Sequence, residues 1–381
     1  MSHHNTIFSQ ILKFVPRHEF SSLTKKHDGA LRSDAMNRWT QFIAMATAQL
    51  SGRTSLRDIE NTINSQKHLS YHLGAGAIKR TTLSRVNQTR PAAFFEELFG
   101  RLYARCQNVS PRHKFKFKNK LFSLDSSLLD VSLKVFPQAN YNQMKAAFKL
   151  HVGFDHDGFI PAFVTVTHGK CGDQSGARLL AFPKGSVVVF DRGYMDYKWH
   201  KHLTDNGIYW VTRIRTGAKF RVLARRNVDK SAGITSDQII EYTSDRSRKN
   251  NLCPVRRVGY RDPETGKHYV FTTNHFDWSA KTVAGIYKQR WQVELFFKWI
   301  KQNLKIKSFL GHNDNAVITQ VMVALCVYLI LAFLKFQSKI QYSLQQISRL
   351  IHVNLFIKRS LIDLLKPPKE PDKPAPQWRL L

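Results

Sequence analysis

The chain has 381 residues and carries 59 Lys and Arg residues against 27 Asp and Glu residues, a formal net charge of +32. So large an excess, spread along the chain, favours a polyanionic partner, above all nucleic acid, and argues against a basic membrane-surface protein built on one amphipathic helix. The four cysteines stand singly, without a Cys-x-x-Cys spacing, which argues against a disulfide framework or a zinc site and favours a reducing cytoplasm.

Residues 1–110 are predicted to form an all-helical domain, because apolar stretches alternate with Gly, Pro and Ser/Thr helix boundaries. The short segment 78–87 carries Lys79, Arg80 and Arg85 beside Thr and Ser. Its length and charge suit a recognition helix in a helix-turn-helix-like DNA-binding unit. An ordinary helix with a solvated basic face explains the same pattern equally well.

Residues 121–214 are predicted to form an α/β core. Short apolar runs predict strands at 121–125, 147–154, 160–167, 186–190 and 208–214, with helices at 177–182 and 197–205. Asp125 ends the first of these strands, and Asp191 directly follows the apolar run SVVVF. Three strands, a helix, a strand, a helix and a strand is the element order of an RNase H-like fold.

Residues 215–281 are predicted to be an insertion rich in β-structure. Two apolar runs at 255–260 and 268–273 flank the turn sequence RDPETGK, which predicts a hairpin. The excess of Lys and Arg in this stretch is compatible with DNA contact, with a structural cover over the core, or with both.

The stretch Ile286–Leu304, IYKQRWQVELFFKWIKQNL, is predicted to form one helix. At about 100° per residue, Tyr287, Arg290, Glu294 and Lys301 fall within an arc of about 60°, next to an apolar face. A carboxylate flanked by cations suits a metal ion together with phosphate oxygens. The alternative is an amphipathic surface helix with charge pairs along one side.

Together these motifs resemble the DDE transposases of the insertion sequence 4 family. The resemblance rests on Asp125, on Asp191 with the Arg-Gly-Tyr that follows it, and on the Tyr-x2-Arg-x3-Glu-x6-Lys signature, and it covers roughly 121–315. It implies an RNase H-like catalytic core at 121–214 and 282–315, with the β-rich insertion between them. It also implies an enzyme that binds the terminal inverted repeats of an insertion sequence in double-stranded DNA, pairs two ends as a homodimer, and cuts and rejoins DNA by cut-and-paste, with a hairpin intermediate.

The same resemblance identifies Asp125, Asp191 and Glu294 as catalytic metal ligands. Two Mg²⁺ ions, with Mn²⁺ as a substitute, would activate the nucleophile and stabilise the leaving oxygen. Asp125 would bridge both ions, while Asp191 and Glu294 would each hold one.

By resemblance, three signature residues are expected to bind DNA phosphates: Tyr287, Arg290 and Lys301. Arg offers a forked contact, Lys a point charge and Tyr a hydroxyl. Trp291 and Trp299 are candidates for stacking on a flipped base, Trp291 being the better placed, and an ordinary packing role is the alternative. Arg192 and Lys298 are further DNA-binding candidates.

The C-terminal region is predicted to be helical over 316–365. The apolar run Val317–Phe333 is near the lower length limit of a membrane span, contains Thr and Gln near its start and lies between basic segments, so we expect a buried core helix. The Pro-rich stretch 366–381 is expected to be a disordered tail.

We expect a cytoplasmic, nucleoid-associated enzyme with no membrane partner. The rival hypotheses are a catalytically inactive sequence-specific DNA-binding protein and an RNase H-like metal-dependent nuclease.

Overall fold

The computed structural model describes residues 5–29, 36–130, 147–250, 252–306, 309–311 and 313–366. Its helices are α1 (Ile7–Leu12), α2 (Arg17–Asp28), α3 (Arg38–Ser51), α4 (Leu56–Asn64), α5 (Lys67–Leu73), α6 (Arg80–Thr89), α7 (Ala93–Val109), α8 (Asp173–Ala177), α9 (Tyr197–Asp205), α10 (Asp245–Lys249), α11 (Ala280–Gln289), α12 (Trp291–Asn303), α13 (Asp314–Gln337), α14 (Leu344–Asn354) and α15 (Leu361–Leu364). Its strands are β1 (Leu121–Asp130), β2 (Ala147–Asp155), β3 (Ile160–His168), β4 (Val187–Phe190), β5 (Tyr209–Arg213), β6 (Phe220–Arg225), β7 (Ile234–Tyr242), β8 (Val255–Arg261) and β9 (His268–Thr273).

The strands form one mixed sheet in the order β3-β2-β1-β4-β5-β9-β8-β7-β6. Strand β1 runs parallel to β4, and β4 runs parallel to β5, whereas β2 lies antiparallel between β1 and β3. Up to β5 the chain order of strands and helices is the one predicted from the sequence. This α/β arrangement is consistent with an RNase H-like core.

Strand β4 explains why the sequence around it reads as an uninterrupted apolar run. Its side chains alternate between two buried clusters: Val187 and Val189 pack in a cluster with α11, whereas Val188 and Phe190 pack in a cluster with α9. Because helices cover both faces of the sheet here, every position of the strand is apolar. Asp191 directly follows this strand, which is buried on both faces.

The helix predicted at 177–182 is wrong in position. The structure has α8 at Asp173–Ala177 instead, and the chain leaves it through tight turns in which the amides of Leu179 and Leu180 donate to carbonyls three residues back. Leu180 and Phe182 are buried in the cluster around α9, so their apolar side chains serve an irregular segment packed on the core.

The β-rich insertion continues the central sheet. Strand β9 pairs antiparallel with β5, and β8, β7 and β6 follow outward. The predicted hairpin is confirmed as β8 and β9, whose register pairs Arg261 with His268. Strands β6 and β7 were not predicted individually. The insertion therefore covers what would otherwise be the exposed edge of β5.

The helices before β1 and the helices from α12 onward share one hydrophobic core. Buried residues of α3, α7, α12, α13 and α14 belong to a single cluster that also includes the inner side chains of β2. Helix α13 is long and apolar enough to cross a membrane, yet 94% of its most apolar window is buried inside the protein. This agrees with the prediction of a core helix over Val317–Phe333. Residues 367–381 of the Pro-rich tail lie outside the described residues.

Candidate active site

Asp125 and Asp191 lie at the same level of two neighbouring parallel strands. The register pairs Leu124 of β1 with Phe190 of β4, so Asp125 follows this pair within β1, and Asp191 follows it directly after the end of β4. The prediction that the first strand ends at Asp125 is therefore wrong. Strand β1 continues beyond this point to pair with β2, where Asp125 lies opposite Val152. The strand register therefore explains why two residues 66 positions apart in the sequence form one site.

Backbone amides orient both carboxylates. The amide of Ser126 donates to Asp125 Oδ1 at 2.8 Å. The amide of Gly193 donates to Asp191 Oδ1 at 2.8 Å, so that Asp191 caps the short 3-10 turn Arg192–Tyr194. The side chain of Asp125 is 20% exposed, which leaves it reachable from one side only.

Glu294 lies on α12, which packs against β1. The predicted single helix over Ile286–Leu304 is wrong in one respect, because the structure has two helices that meet at Arg290. The amide of Arg290 donates to the carbonyl of Tyr287, and the amide of Val293 to that of Arg290, so hydrogen bonds to the third residue back tighten the turn. Arg290 keeps right-handed helical dihedral angles, and the signature side chains remain on adjoining helices.

Arg290 connects the carboxylates. Its guanidinium lies 3.5 Å from Asp125 Oδ2 and 2.5 Å from Glu294 Oε1. Burial raises the pKa of Asp125 to about 6, the Ser126 amide and Arg290 oppose this rise, and the charges of Asp191 and Glu294 add to it. All three predicted acids thus lie within electrostatic reach of one another, with a cation bound to two of them.

A family model described as a transposase DDE domain matches residues 116–330, more than half of the chain, and this stretch contains all three acids. The chain belongs to the DDE transposases. Residues 3–76 match a second family, described as a domain of unknown function.

Relatives agree with this assignment. A putative transposase of Sinorhizobium fredii is 30% identical over 290 residues, which cover 75% of this chain and 80% of that protein. A probable transposase for insertion sequence element IS5377 from Geobacillus stearothermophilus is 28% identical and covers 68% of each chain. A putative transposase for insertion sequence element IS4SA from Synechocystis is 25% identical, covering 74% of this chain and 77% of that protein. A solved piggyBac transposase synaptic complex with hairpin DNA overlaps 96% of this chain and 81% of its own, but a TM-score of 0.42 at 8% identity supports no inference.

DDE transposase domains generally use divalent metal ions. The carboxylate oxygens of Asp125, Asp191 and Glu294 are the type of ligand that Mg²⁺ and Mn²⁺ prefer. In the part of the chain that the structure describes, no three Asp, Glu, His or Cys side chains stand close enough to hold one ion. The donor set of this transposase fits the metal by its chemistry, and the carboxylates would have to exchange their contacts with Arg290 for contacts with the ion.

Two signature residues, Tyr287 and Arg290, line a cleft of about 260 Å³ between α11 and the insertion. Tyr287 lies there with its ring 4.8 Å from that of Phe271, and the Arg290 guanidinium lies 5.7 Å from the centre of the Tyr287 ring. Trp291 also lines the cleft and is 56% exposed. Lys301 lies in the last turn of α12 and is half-buried.

The remaining predicted DNA contacts occupy several surfaces. Lys298 is exposed on α12, and Arg192 is exposed beside Asp191, where it donates to the Thr216 hydroxyl at 3.5 Å. Trp299 packs with its ring centre 5.0 Å from that of Tyr328, so its ring belongs to the core cluster.

Lys79, Arg80 and Arg85 are exposed around α6, and Arg80 and Arg85 line a cleft distinct from the carboxylate site. Lys79 directly precedes the helix, where its extended backbone forms the N-terminal boundary.

The polar contacts around Ser126, the residue after Asp125, were not predicted from the sequence. The Ser126 hydroxyl donates to Asp173 Oδ1 at 2.5 Å, and Lys149 Nζ lies 3.2 Å from the same oxygen. Burial alone raises the pKa of Asp173, but these hydrogen bonds hold it below the usual value. Tyr194 is buried, and its hydroxyl lies beside the Ser126 side chain. The Arg-Gly-Tyr motif marks Tyr194 in the sequence, whereas nothing local marks Asp173, which lies 47 positions from its partner Ser126.

Proposed function

We propose that the chain is an insertion-sequence transposase that binds the terminal inverted repeats of its own element and catalyses metal-dependent DNA cleavage and strand transfer. The proposal is supported by the level of Asp125 and Asp191 on two adjacent parallel strands and by Glu294 on a helix that packs against β1, with Arg290 bound to both Asp125 and Glu294. The intact signature of Tyr287, Arg290, Glu294 and Lys301 further supports membership of the insertion sequence 4 group.

In this proposal Asp125, Asp191 and Glu294 would hold two Mg²⁺ ions, for which Mn²⁺ could substitute. When bound, the ions would supply Lewis-acid stabilisation of the attacking and leaving oxygens. Arg290, released from its carboxylate partners, offers its planar donors to a DNA phosphate, and Tyr287 and Lys301 add a hydroxyl and a point charge. Arg290 thus serves as a counter-cation for the carboxylates before the ions bind.

The substrate is double-stranded DNA at the element's ends and at the target site. We propose a cut-and-paste route in which a homodimer pairs two ends and each end passes through a hairpin. Trp291, more than half exposed beside Arg290, is the candidate to stack on a base displaced during hairpin formation. Such an enzyme acts in the bacterial cytoplasm at the nucleoid.

The test uses a plasmid that carries both ends of the element, full-length protein and Mg²⁺. We expect the wild type to excise the segment at its ends, and Asp125→Ala, Asp191→Ala and Glu294→Ala each to abolish cleavage while DNA binding persists. Binding persists because affinity for DNA comes mainly from Lys and Arg contacts to phosphates. Glu264→Ala is the matched control, since Glu264 is an exposed glutamate paired with Lys288 and is expected to leave excision intact.

Full cleavage by any of the three site variants would overturn the assignment of that residue. Binding to the ends without cleavage by the wild type would favour the inactive DNA-binding protein. Wild-type cleavage at random positions would favour the nuclease.

A further inference from the structure

A cleft of about 720 Å³ lies between the N-terminal helices and the segment that follows α12. One side is formed by the start of α4 and by α6, which contribute Arg57, Arg80 and Arg85. The other side is formed by Phe309 and Leu310. The cleft therefore lies between helices that precede the catalytic core in the sequence and residues that follow α12.

All charged side chains that line this cleft are positive. Its lining contains three guanidinium groups, with Thr and Ser hydroxyls between them and no carboxylate. Among the ion pairs of the described residues, none involves Arg57, Arg80 or Arg85. Like charges gathered on one concave surface repel one another, and the arrangement becomes favourable when an anion occupies the cleft.

The apolar side of the cleft is held in place by two buried glutamines. The amide of Lys305 donates to Gln49 Oε1 at 2.7 Å, and Gln320 Nε2 donates to the carbonyl of Lys305 at 2.6 Å. The amide of Leu310 donates to Gln320 Oε1 at 2.9 Å. These bonds tie Lys305 to α3 and α13 and tie Leu310 to α13, so both described residues are held in place without a ligand.

This geometry differs from that of a helix presented to the major groove. A recognition helix needs a free face to enter a groove about 12 Å wide. Here the basic face of α6 has Phe309 and Leu310 opposite it across the cleft. A single sugar–phosphate strand, with charge at its edge and apolar sugar surface, suits a cleft with arginines on one side and apolar side chains on the other.

We propose that this cleft binds the sugar–phosphate backbone of DNA, so that α6 positions the DNA and does not read its base sequence. The inference rests on the proposed function and adds Arg57 to the DNA-binding residues. Because Phe309 and Leu310 lie a few residues beyond α12, the bound strand is fixed relative to the helix that carries Glu294. Asn303, the last residue of that helix, lies about 14 Å along the axis from Glu294 at 1.5 Å per residue.

The test compares affinities for two duplexes of equal length, one from the end of the element and one with a scrambled sequence. Fluorescence anisotropy at several salt concentrations measures full-length wild type, Arg57→Gln and the double variant Arg80→Gln/Arg85→Gln. Lys13→Gln is the matched control, because Lys13 is an exposed cation on the N-terminal helices outside the cleft. Thermal unfolding of each variant checks that these surface changes leave the fold intact.

We expect the cleft variants to bind both duplexes more weakly by the same factor. The slope of log K against log salt should become shallower by about 1 for each arginine removed, since each neutralised phosphate releases about 0.9 counterions. A lost preference for the element's end would overturn the proposal, since it would mean that the cleft reads bases. Affinities and slopes equal to those of Lys13→Gln would overturn it too. The salt slopes decide this inference even if the wild type fails to excise the element, so the two failures are distinguishable.

Discussion

Burial disfavours the charged form of the Asp125 carboxylate in the folded protein. Its pKa lies at about 6, against an ordinary value of 3.8, because burial outweighs the Ser126 amide and Arg290. One pKa unit corresponds to 1.36 kcal/mol, so the ionised form destabilises the folded protein by up to about 3 kcal/mol. Asp125→Asn keeps the shape of the side chain and removes this charge.

The sign of the effect follows from proton binding. As the pH rises from about 4 to about 6, Asp125 ionises in the unfolded chain but keeps its proton in the fold, so the free energy of unfolding falls across this window. Asparagine does not titrate and avoids this loss. We therefore expect the variant to be more stable than the wild type at pH 8, with a Tm about 4 °C higher for a chain of this length, and equal to it near pH 4.

Calorimetric unfolding of both proteins in a chelator, from pH 4 to pH 8, measures this difference. Asp277→Asn is the matched control, since Asp277 is an exposed aspartate in the loop before α11. Adding Mg²⁺ at pH 8 should raise the Tm of the wild type more than that of Asp125→Asn, because the ion compensates the buried charge. Equal Tm values at pH 8, or a stabilisation confined to low pH, would refute the reasoning.

Three further predictions concern DNA handling and assembly of the fold. Lys301→Ala should weaken retention of cut ends more than initial binding in a gel assay of the two complexes; equal losses would contradict a role at the cleaved phosphate. Trp291→Ala should reduce hairpin formation on pre-nicked ends while Trp291→Phe preserves most of it, and identical yields would exclude stacking. Deleting residues 1–110 should yield an insoluble or unfolded protein, because α13 loses its partners in the shared core; a soluble truncated chain with a cooperative melt would contradict this.

The positions of the three candidate acids could be predicted from the sequence because each is tied to a local pattern. Asp191 follows an apolar run too short and too continuous to be a half-exposed strand, and the structure places that run in the middle of the sheet. Helix α9 has the predicted bounds because Asp196 caps its start by accepting from the amides of Lys198 and Trp199. For this strand and for α9, a local sequence pattern determines the element, and the predicted element agrees with the observed one.

Other features depend on contacts that no local pattern records. The hydrogen bond from the Tyr103 hydroxyl to the Asp155 carboxylate joins α7 to β2 across 52 positions. Lys120, which directly precedes β1, pairs with the same carboxylate and with Asp157, so these charged groups connect the start of β1 to the end of β2 and the turn after it. The break at Arg290 escaped prediction because the helical periodicity runs through it, and only the exchange of hydrogen-bond partners marks the turn.

The outermost strand, β6, has two features that disfavour edge-to-edge aggregation between copies of this protein. An unpaired strand edge offers free amides and carbonyls to any extended chain, and such edges promote aggregation. Strand β6 carries Arg221 and Arg225, both exposed, and its pairing with β7 is interrupted by a bulge between Val222 and Ala224. Arg221 pairs with Glu241 of β7, so Arg225, unpaired among the described residues, supplies the positive charge that a second copy would meet at this edge, and the irregular backbone offers that copy a poor template. The insertion thus extends the sheet to nine strands and ends it, on this side, at a charged and irregular edge.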